Sequence, residues 1–386
     1  MQFHAYALAE SGVAVDLVGL SGAAPAAAVG SHPRITCHAV VDRQTSGAFA
    51  STIGRVARIG VSFTRCLSTL PAPDVVLVQL PPAVPGAVCA WAWARWHRAR
   101  LVIDWHNLGW TLLQLGAWRA EAVSGLRAIE RWLGRRGDGH LAVSKALSSH
   151  VATWLDLPDV PRVLYDRAPE WLRPADAGTA ARLRACLLAA HDMPAADSVL
   201  LVSPTSWTRD EAMDLLFDAA DAIERRVGAV PDLPHVLFLA TGQGPGRALF
   251  DARVVARRRG GRVTVASTWV AADDYPALLT AADAGVCLHR SSSGLDLPMK
   301  IADMHGVGLP VLALRYPALT ERLTDGVNAM MFDDAATLAE LVASWWSSGA
   351  SQRQALLATS AAAEGERWLD GWAREARALL LRESDA

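Results

Sequence analysis

Short apolar runs rich in β-branched residues recur along the chain, and segments long enough for helices separate them. The runs lie at 13–20, 75–80, 100–105, 140–144, 198–203, 235–241, 263–267, 284–289 and 310–314. Apolar strands that alternate with helices are typical of parallel sheets covered by helices on both faces. The sequence therefore predicts an α/β fold with doubly wound sheets.

The chain is long enough for two such sheets. A domain usually holds about 100–200 residues, and this chain has 386. Prolines and alanines are frequent between 166 and 197, where we place the boundary. The predicted parts are an N-terminal Rossmann-like domain over 1–170, a C-terminal Rossmann-like domain over 195–365 and a C-terminal helix over 366–386, carrying Trp368 and Trp372, that packs back on the N-terminal domain.

The N-terminal segment departs from this pattern. Residues 2–11 have the composition of a helix, whereas a doubly wound domain normally opens with a strand that lies centrally in its sheet. Without that strand, the ladder donors and acceptors of its neighbours would be unpaired. We therefore expect either a true start upstream of Met1 or a compromised N-terminal domain.

Charge and cysteine usage restrict the class of protein. The net charge of −2 argues against a polyanion-binding molecule, although 34–136 holds 13 arginines against five acids. That excess suits phosphates, an anionic surface or a solvated helix face. Five widely spaced cysteines without a CxxC, and the lack of a signal peptide, indicate a reduced cytoplasmic chain. Peripheral contact with the inner membrane face stays open, and no nucleic acid partner is expected.

The stretch 75–94 has no charged residue and is long enough to mimic a membrane span. Three prolines and a glycine divide it into the β-branched run VVLVQL and a second, helix-like part. We interpret it as a strand followed by a buried helix. A helix that dips into a membrane through Trp91, Trp93 and Trp96 is the alternative.

The densest chemical signal is SSSGLDLPMK at 291–300, directly after a strand-like run. Hydroxyl-bearing and glycine residues there let backbone N–H groups approach an anion, and a helix that starts near Pro298 adds its positive end. Lys300 is one of only two lysines in the chain, and it adds a charge in the first helical turn. We predict that this segment stabilises a leaving nucleoside diphosphate, with Asp303 accepting ribose hydroxyls.

A second group, DWHNLGW at 104–110, follows the run RLVID. Polar side chains at the carboxyl end of a strand are placed for proton transfer. His106 is a candidate base, with Asp104 either orienting it or acting as the base itself.

Two further loops follow strand-like runs. In SPTSWTRDE, Ser206 and Thr208 could contact donor phosphates, and Thr208 with Glu211 fits a capping box. In ATGQGPGR, Gly242 and Gly244 belong to a GxGxG that we interpret as a turn lining a nucleotide pocket. We reject NAD because the pattern alone is weak. The sequence also shows no clustered metal ligands, so no metal or other cofactor is expected.

Together these motifs resemble the chitobiosyldiphosphodolichol beta-mannosyltransferase family. The resemblance also rests on STWVAADDYPALLTAADAGVCLH and covers nearly the whole chain. It implies a GT-B fold, with two Rossmann-like doubly wound domains facing each other across a cleft. It further implies an inverting hexosyltransferase that moves mannose from GDP-mannose to a lipid-diphosphate-linked glycan at the cytosolic membrane face.

By this resemblance, 268–275 would lie near the nucleotide base and 292–300 near the diphosphate and sugar. The predicted donor-binding set is Ser206, Thr208, Gly242, Gly244, Trp269, Ser292, Ser293, Gly294, Leu295, Lys300 and Asp303. The family also carries a strand, a glycine- and arginine-bearing loop and a membrane anchor before the position of Met1. A non-catalytic nucleotide-sugar-binding protein and a sugar-nucleotide epimerase of the same fold are the alternatives.

Overall fold

The chain forms two compact units. The computed structural model describes residues 1–22, 24–41, 52–116, 118–226, 233–257, 261–347, 359 and 365–381. The first unit comprises Met1–Asp166, Leu295–Leu297 and Trp368–Ala386, and the second comprises Arg167–Gly294 and Pro298–Arg367. Residues 382–386 of the predicted C-terminal helix lie outside the described part.

Helices and strands alternate along both units. The strands are β1 (Val15–Leu20), β2 (Ile35–Val40), β3 (Val75–Leu80), β4 (Arg100–Trp105), β5 (Gly139–Ala142), β6 (Arg162–Val163), β7 (Ser198–Pro204), β8 (His235–Thr241), β9 (Val263–Thr268), β10 (Ala284–Cys287), β11 (Val311–Leu314) and β12 (Met330–Phe332). The α-helices are α1 (Gln2–Glu10), α2 (Ala27–Gly30), α3 (Thr52–Leu67), α4 (Val88–His97), α5 (Gly109–Leu115), α6 (Ala120–Gly134), α7 (Lys145–Leu155), α8 (Ala177–Ala190), α9 (Leu215–Arg226), α10 (Arg247–Ala256), α11 (Tyr275–Ala281), α12 (Met299–Gly306), α13 (Ala335–Ser347), α14 (Trp368–Glu375) and α15 (Arg377–Leu380).

The second unit is built on one parallel sheet with the order β12-β11-β10-β7-β8-β9. All seven residues of β7 are buried, as are all but the first of β8. This burial on both faces is why their sequences are nearly continuous apolar runs. The strand order reverses between β7 and β10, so the segments that follow these two strands leave the sheet at its switch point.

The first unit contains two separate parallel sheets, β1-β2 and β3-β4-β5-β6. In the described residues, β1 pairs only with β2, and β3 pairs only with β4. One edge of each of these two strands is therefore without a ladder partner in this part of the chain. The strands β2, β6 and β12 were not predicted, because β6 and β12 are too short for a periodic signal and half of the residues of β2 are exposed.

The uncharged stretch 75–94 forms β3 and most of α4, joined by a π-helical turn at Ala83–Ala87. The prediction of a strand followed by a helix is confirmed, but the helix is not buried as predicted, because Ala94 is its one buried residue. Trp91 packs edge-on against Trp132, with ring centroids 4.5 Å apart, whereas Trp96 is 81% exposed. A search of the described helices finds none with the length and hydropathy of a membrane span.

Within the first unit, α14 packs against α1. Trp368 Nε1 donates to the carbonyl of Phe3 at 2.9 Å, and the Trp368 and Phe3 rings meet edge-on at 5.5 Å. Both Trp368 and Trp372 are buried with Ala7 in a small apolar cluster. This packing holds α1, and with it His4, against the carboxyl end of β4.

Candidate active site

Asp104 is the centre of a buried polar cluster at the carboxyl end of β4. Its side chain is 2% exposed, and its Oδ2 atom accepts from two imidazoles. His106 Nε2 lies 2.8 Å from that oxygen, and His4 Nε2 lies 3.1 Å from it. A buried carboxylate is costly unless it is hydrogen-bonded, and these two donors meet that need. Burial would raise the pKa of Asp104, but the two histidines hold it well below its usual range.

His106 has the environment of a general base. Its backbone N–H donates to the carbonyl of Leu80 at 2.8 Å, which fixes the turn after β4. Burial would lower the pKa of His106, but the Asp104 carboxylate raises it above the usual 6.5. Nε2 faces Asp104, and in the described part of the chain Nδ1 makes no hydrogen bond. A neutral His106 would therefore present the Nδ1 lone pair for proton abstraction.

The turn that carries His106 is anchored from α6. Glu130 Oε1 accepts from the backbone N–H of Gly109 at 2.9 Å. A Cβ on Gly109 would lie 2.4 Å from the same oxygen, so a larger residue there would displace the Glu130 carboxylate. Burial raises the pKa of Glu130 to about 7.

Lys300 and Glu211 form an ion pair at the switch point of the second sheet. Lys300 lies in the first turn of α12, which follows β10, and Glu211 lies in the segment after β7. Burial lowers the pKa of Lys300 to about 8, and the nearby Asp210 and Asp303 carboxylates oppose this. Lys300 therefore remains mostly protonated at neutral pH.

Glu211 does not act in a capping box, and that prediction is wrong. The next helix, α9, begins only at Leu215. The Glu211 carboxylate instead accepts from Thr205 Oγ1, from Ser206 N at 3.1 Å and from Trp207 N at 3.2 Å. Its Oε1 pairs with Lys300 while its Oε2 accepts from this turn, so the carboxylate joins the two segments.

The glycine loop after β8 lies against the same turn. A Cβ on Gly242 would lie 1.8 Å from Thr205 O, and one on Gly244 would lie 1.9 Å from Ser206 O. Gly242 also has a φ of +144°, which side-chain-bearing residues rarely adopt. These glycines are required for two backbone segments to pack closely at the carboxyl ends of β7 and β8.

The remaining predicted donor residues are distributed around this edge. Ser206 Oγ lies 3.1 Å from Thr208 Oγ1, and Tyr275 OH donates to Asp303 Oδ2 at 3.4 Å. Trp269 follows β9, two strands from β7, and its ring is exposed. Ser292, Ser293 and Gly294 follow β10, and Gly294 has a φ of +73°. Leu295 belongs to the first unit, where its carbonyl accepts from Ser144 Oγ at 2.5 Å.

The sequence predicted no site role for His4 or Glu211, and it placed Tyr275 only within the range 268–275 near the nucleotide base. His4 lies 100 residues from Asp104 on a helix, and nothing local marks it as a partner. Glu211 belongs to the motif SPTSWTRDE, but its spacing from Thr208 favoured a capping box at the start of a helix. Tyr275 belongs to the motif STWVAADDYPALLTAADAGVCLH, and its hydrogen bond to Asp303 is what places it beside a predicted donor-binding residue.

The two units and their clusters define a class of protein. The family described as "Glycosyl transferase 4-like domain" matches residues 4–166, and "Glycosyl transferases group 1" matches residues 196–348. The solved structure of Anabaena Alr3699/HepE in complex with UDP and glucose superposes with a TM-score of 0.67 at 15% identity, over 94% of this chain and 98% of that one. The chain is a glycosyltransferase with the GT-B fold.

Sequence relatives narrow the class. A chitobiosyldiphosphodolichol beta-mannosyltransferase of Eremothecium gossypii is 34% identical over 86% of this chain and 72% of its own length. A protein of Arabidopsis thaliana named UDP-glycosyltransferase TURAN is 33% identical over 99% of this chain and 94% of its own. The chain belongs to the chitobiosyldiphosphodolichol beta-mannosyltransferase family.

Proposed function

We propose that this glycosyltransferase transfers mannose from GDP-mannose, with inversion, to a lipid-diphosphate-linked glycan at the cytosolic face of a membrane. The names of the relatives that are 30–34% identical support the sugar and the acceptor. The observation that carries the chemistry is the buried Asp104–His106 pair, whose second imidazole nitrogen is left for a substrate proton.

In the proposed reaction, His106 Nδ1 takes the proton of an acceptor hydroxyl while the hydroxyl oxygen attacks the anomeric carbon of the donor. The bond from that carbon to the diphosphate oxygen breaks, and the nucleoside diphosphate leaves with the electron pair. Asp104 stabilises the imidazolium that forms, because its carboxylate already accepts from His106 Nε2. Attack from the face opposite the leaving group produces inversion.

The leaving diphosphate requires positive charge. Lys300 and the amino-terminal end of α12 would supply it, since α12 begins at Met299 and its N-cap residue, Pro298, makes no side-chain cap hydrogen bond. We therefore propose that the reaction needs no metal ion. EDTA should leave the rate of transfer unchanged, and a loss restored by Mg²⁺ would contradict this part of the proposal.

One alternative to GDP-mannose as the donor is supported by a specific observation. The Arabidopsis relative is named a UDP-glycosyltransferase, so a UDP-sugar is the second candidate. A thermal-shift screen of GDP-mannose, UDP-glucose and UDP-N-acetylglucosamine, followed by transfer to a short-chain isoprenyl diphosphate carrying chitobiose, tests the proposal. We expect stabilisation and transfer with GDP-mannose, and stabilisation by UDP-sugars alone would overturn the mannose assignment. Nucleotide binding without any transfer would favour the non-catalytic alternative.

Membrane contact is proposed from one surface of the first unit. Trp96 at the end of α4 is exposed beside Arg95 and Arg98, and aromatic and basic side chains together suit a membrane interface with anionic lipid. The full chain should sediment with vesicles of phosphatidylcholine and phosphatidylserine, and Trp96→Ala should sediment less. Leu249→Ala, at an exposed apolar position in the second unit, is the matched control. Equal sedimentation of both variants and the parent chain would contradict this surface.

A further inference from the structure

A second histidine shares the carboxylate oxygen of the proposed base pair. His4 Nε2 and His106 Nε2 both lie within hydrogen-bond distance of Asp104 Oδ2, at 3.1 and 2.8 Å. His4 is 2% exposed, so it is screened from solvent and not placed to meet a substrate. The proton transfer described above does not use it.

The protonation state of His4 follows from its other ring nitrogen. Trp372 Nε1 lies 3.1 Å from His4 Nδ1, and an indole N–H can only donate. His4 Nδ1 must therefore carry a lone pair, which leaves the proton on Nε2 for the bond to Asp104. A doubly protonated His4 would lose the hydrogen bond to Trp372 and place two N–H groups against each other. Burial also lowers the pKa of His4, and the Asp104 carboxylate only partly opposes this.

We propose that His4 is a positioning residue for the base: as a neutral donor it takes part of the Asp104 negative charge, and Trp372 holds it in the required tautomer. The inference rests on the proposed role of His106 as the base. It gives the C-terminal helix α14 a part in proton transfer, because that helix supplies the indole that orients His4.

The role of His4 has a consequence for the pKa of His106. Without the His4 donor, the Asp104 carboxylate accepts a hydrogen bond from His106 alone. Its negative charge is then less compensated and attracts the His106 proton more strongly. The pKa of His106 then rises, and a larger fraction is protonated and inactive at neutral pH. The other charged groups that face this cluster are the Met1 ammonium and the Asp166 carboxylate, and both are unchanged by substitutions at His4.

The test is the pH profile of transfer with GDP-mannose and the isoprenyl-diphosphate acceptor. In His4→Phe, the acidic limb of kcat/KM should move upward by about 0.5–1 pH unit, with KM for the donor unchanged, because only part of the effect of losing a hydrogen bond to the Asp104 carboxylate reaches His106. His4→Gln should restore the limb, since its amide NH2 can donate to Asp104 and its carbonyl oxygen can accept from Trp372. His140→Gln, at a half-buried histidine bonded to Trp105 rather than to Asp104, is the control and should not move the limb.

The tautomer is tested separately by nitrogen-15 spectra of histidine-labelled protein. His4 should show the neutral Nε2–H form throughout the range from pH 6 to 8, and Trp372→Phe should make it titrate within that range. Trp368→Phe is the matched control, because that indole donates to the Phe3 carbonyl and not to His4. This measurement decides the inference even when His4→Phe does not fold.

The outcomes separate the inference from the proposed function. An unmoved or lowered limb in His4→Phe, or a His4 ring that is protonated in the parent protein, would overturn the positioning role. Persistence of the limb in His106→Asn would instead overturn His106 as the base. When the limb disappears in His106→Asn and stays in place in His4→Phe, only the inference about His4 fails.

Discussion

Lys300 and Glu211 form an ion pair that joins the segments after β10 and β7, at the point where the strand order of the second sheet reverses. The Glu211 side chain is 2% exposed and the Lys300 side chain 16%. The pair thus fixes the position of the cation that we assign to the diphosphate, and it ties that cation to the turn at Thr205–Trp207. Removing Lys300 leaves the buried Glu211 carboxylate without an opposite charge, and only the hydrogen bonds from the turn at Thr205–Trp207 remain to it.

Lys300→Ala should weaken GDP binding by about tenfold to a hundredfold, the range expected for loss of a charge-assisted contact of about 1.5–3 kcal/mol. It should also lower the free energy of unfolding by about 3 kcal/mol, because Glu211 is left buried and charged. The double variant Lys300→Ala/Glu211→Gln should recover part of that stability without recovering GDP affinity. Calorimetric titration with GDP and urea unfolding measure the two effects, and additive losses of stability would contradict the pairing.

His106→Asn should lower kcat by about 10²–10⁴-fold, the usual contribution of a general base, while the Kd for GDP stays within about twofold. The pKa of His106 is raised and the base must be deprotonated, so kcat/KM in the parent should fall as pH drops through a value above 6.5. Asp104→Asn removes the charge that raises this pKa, so its acidic limb should move to lower pH. Unchanged turnover in His106→Asn would remove it as the base.

Gly244→Ala should destabilise the protein by about 1–3 kcal/mol, the usual cost of forcing extra volume into a packed region. The added Cβ would lie 1.9 Å from Ser206 O and 2.9 Å from Trp207 Cβ, so the backbone must move. Gly125→Ala on α6 is the matched control, because nothing lies within 4 Å of its Cβ position. It should stabilise by about 0.5–1 kcal/mol, since alanine is preferred over glycine in a helix. Equal effects in urea unfolding would show that close packing at Gly244 is unimportant.

Glu130→Gln should stabilise the protein at pH 8 and have little effect at pH 5. The folded-state pKa of Glu130 is raised from 4.5 to about 7, so the folded state loses stability relative to the unfolded chain as pH rises from about 4.5 through 7. The full penalty, about 3 kcal/mol, applies above pH 7. Glutamine keeps an acceptor for the Gly109 N–H and removes the charge. Urea unfolding at both pH values checks this, and a variant that is less stable at pH 8 would contradict it.

Much of the fold was predictable because the local amino-acid composition determines where these strands and helices form. β7 and β8 are buried on both faces, and a strand in that position must be apolar throughout its length, whatever its neighbours are. The helix at the start of the chain and the helix after Pro298 were likewise predictable from composition and proline placement. The strands β2, β6 and β12 were not predictable in this way. The two or three residues of β6 and β12 carry no period, and the six residues of β2 do not alternate regularly between buried and exposed.

The residues of the candidate site likewise fall into those that the sequence indicates and those that only the tertiary structure brings together. Lys300, Asp104 and His106 stand out in the sequence because their residue types follow strand-like runs at positions where parallel strands end. The tertiary structure alone decided that His4 meets Asp104, that Trp372 orients His4, and that Glu211 pairs with Lys300 instead of capping a helix. These contacts join residues 89 to 368 positions apart, and a hydrogen bond or ion pair depends on distances of a few ångströms that chain topology, not local sequence pattern, brings about.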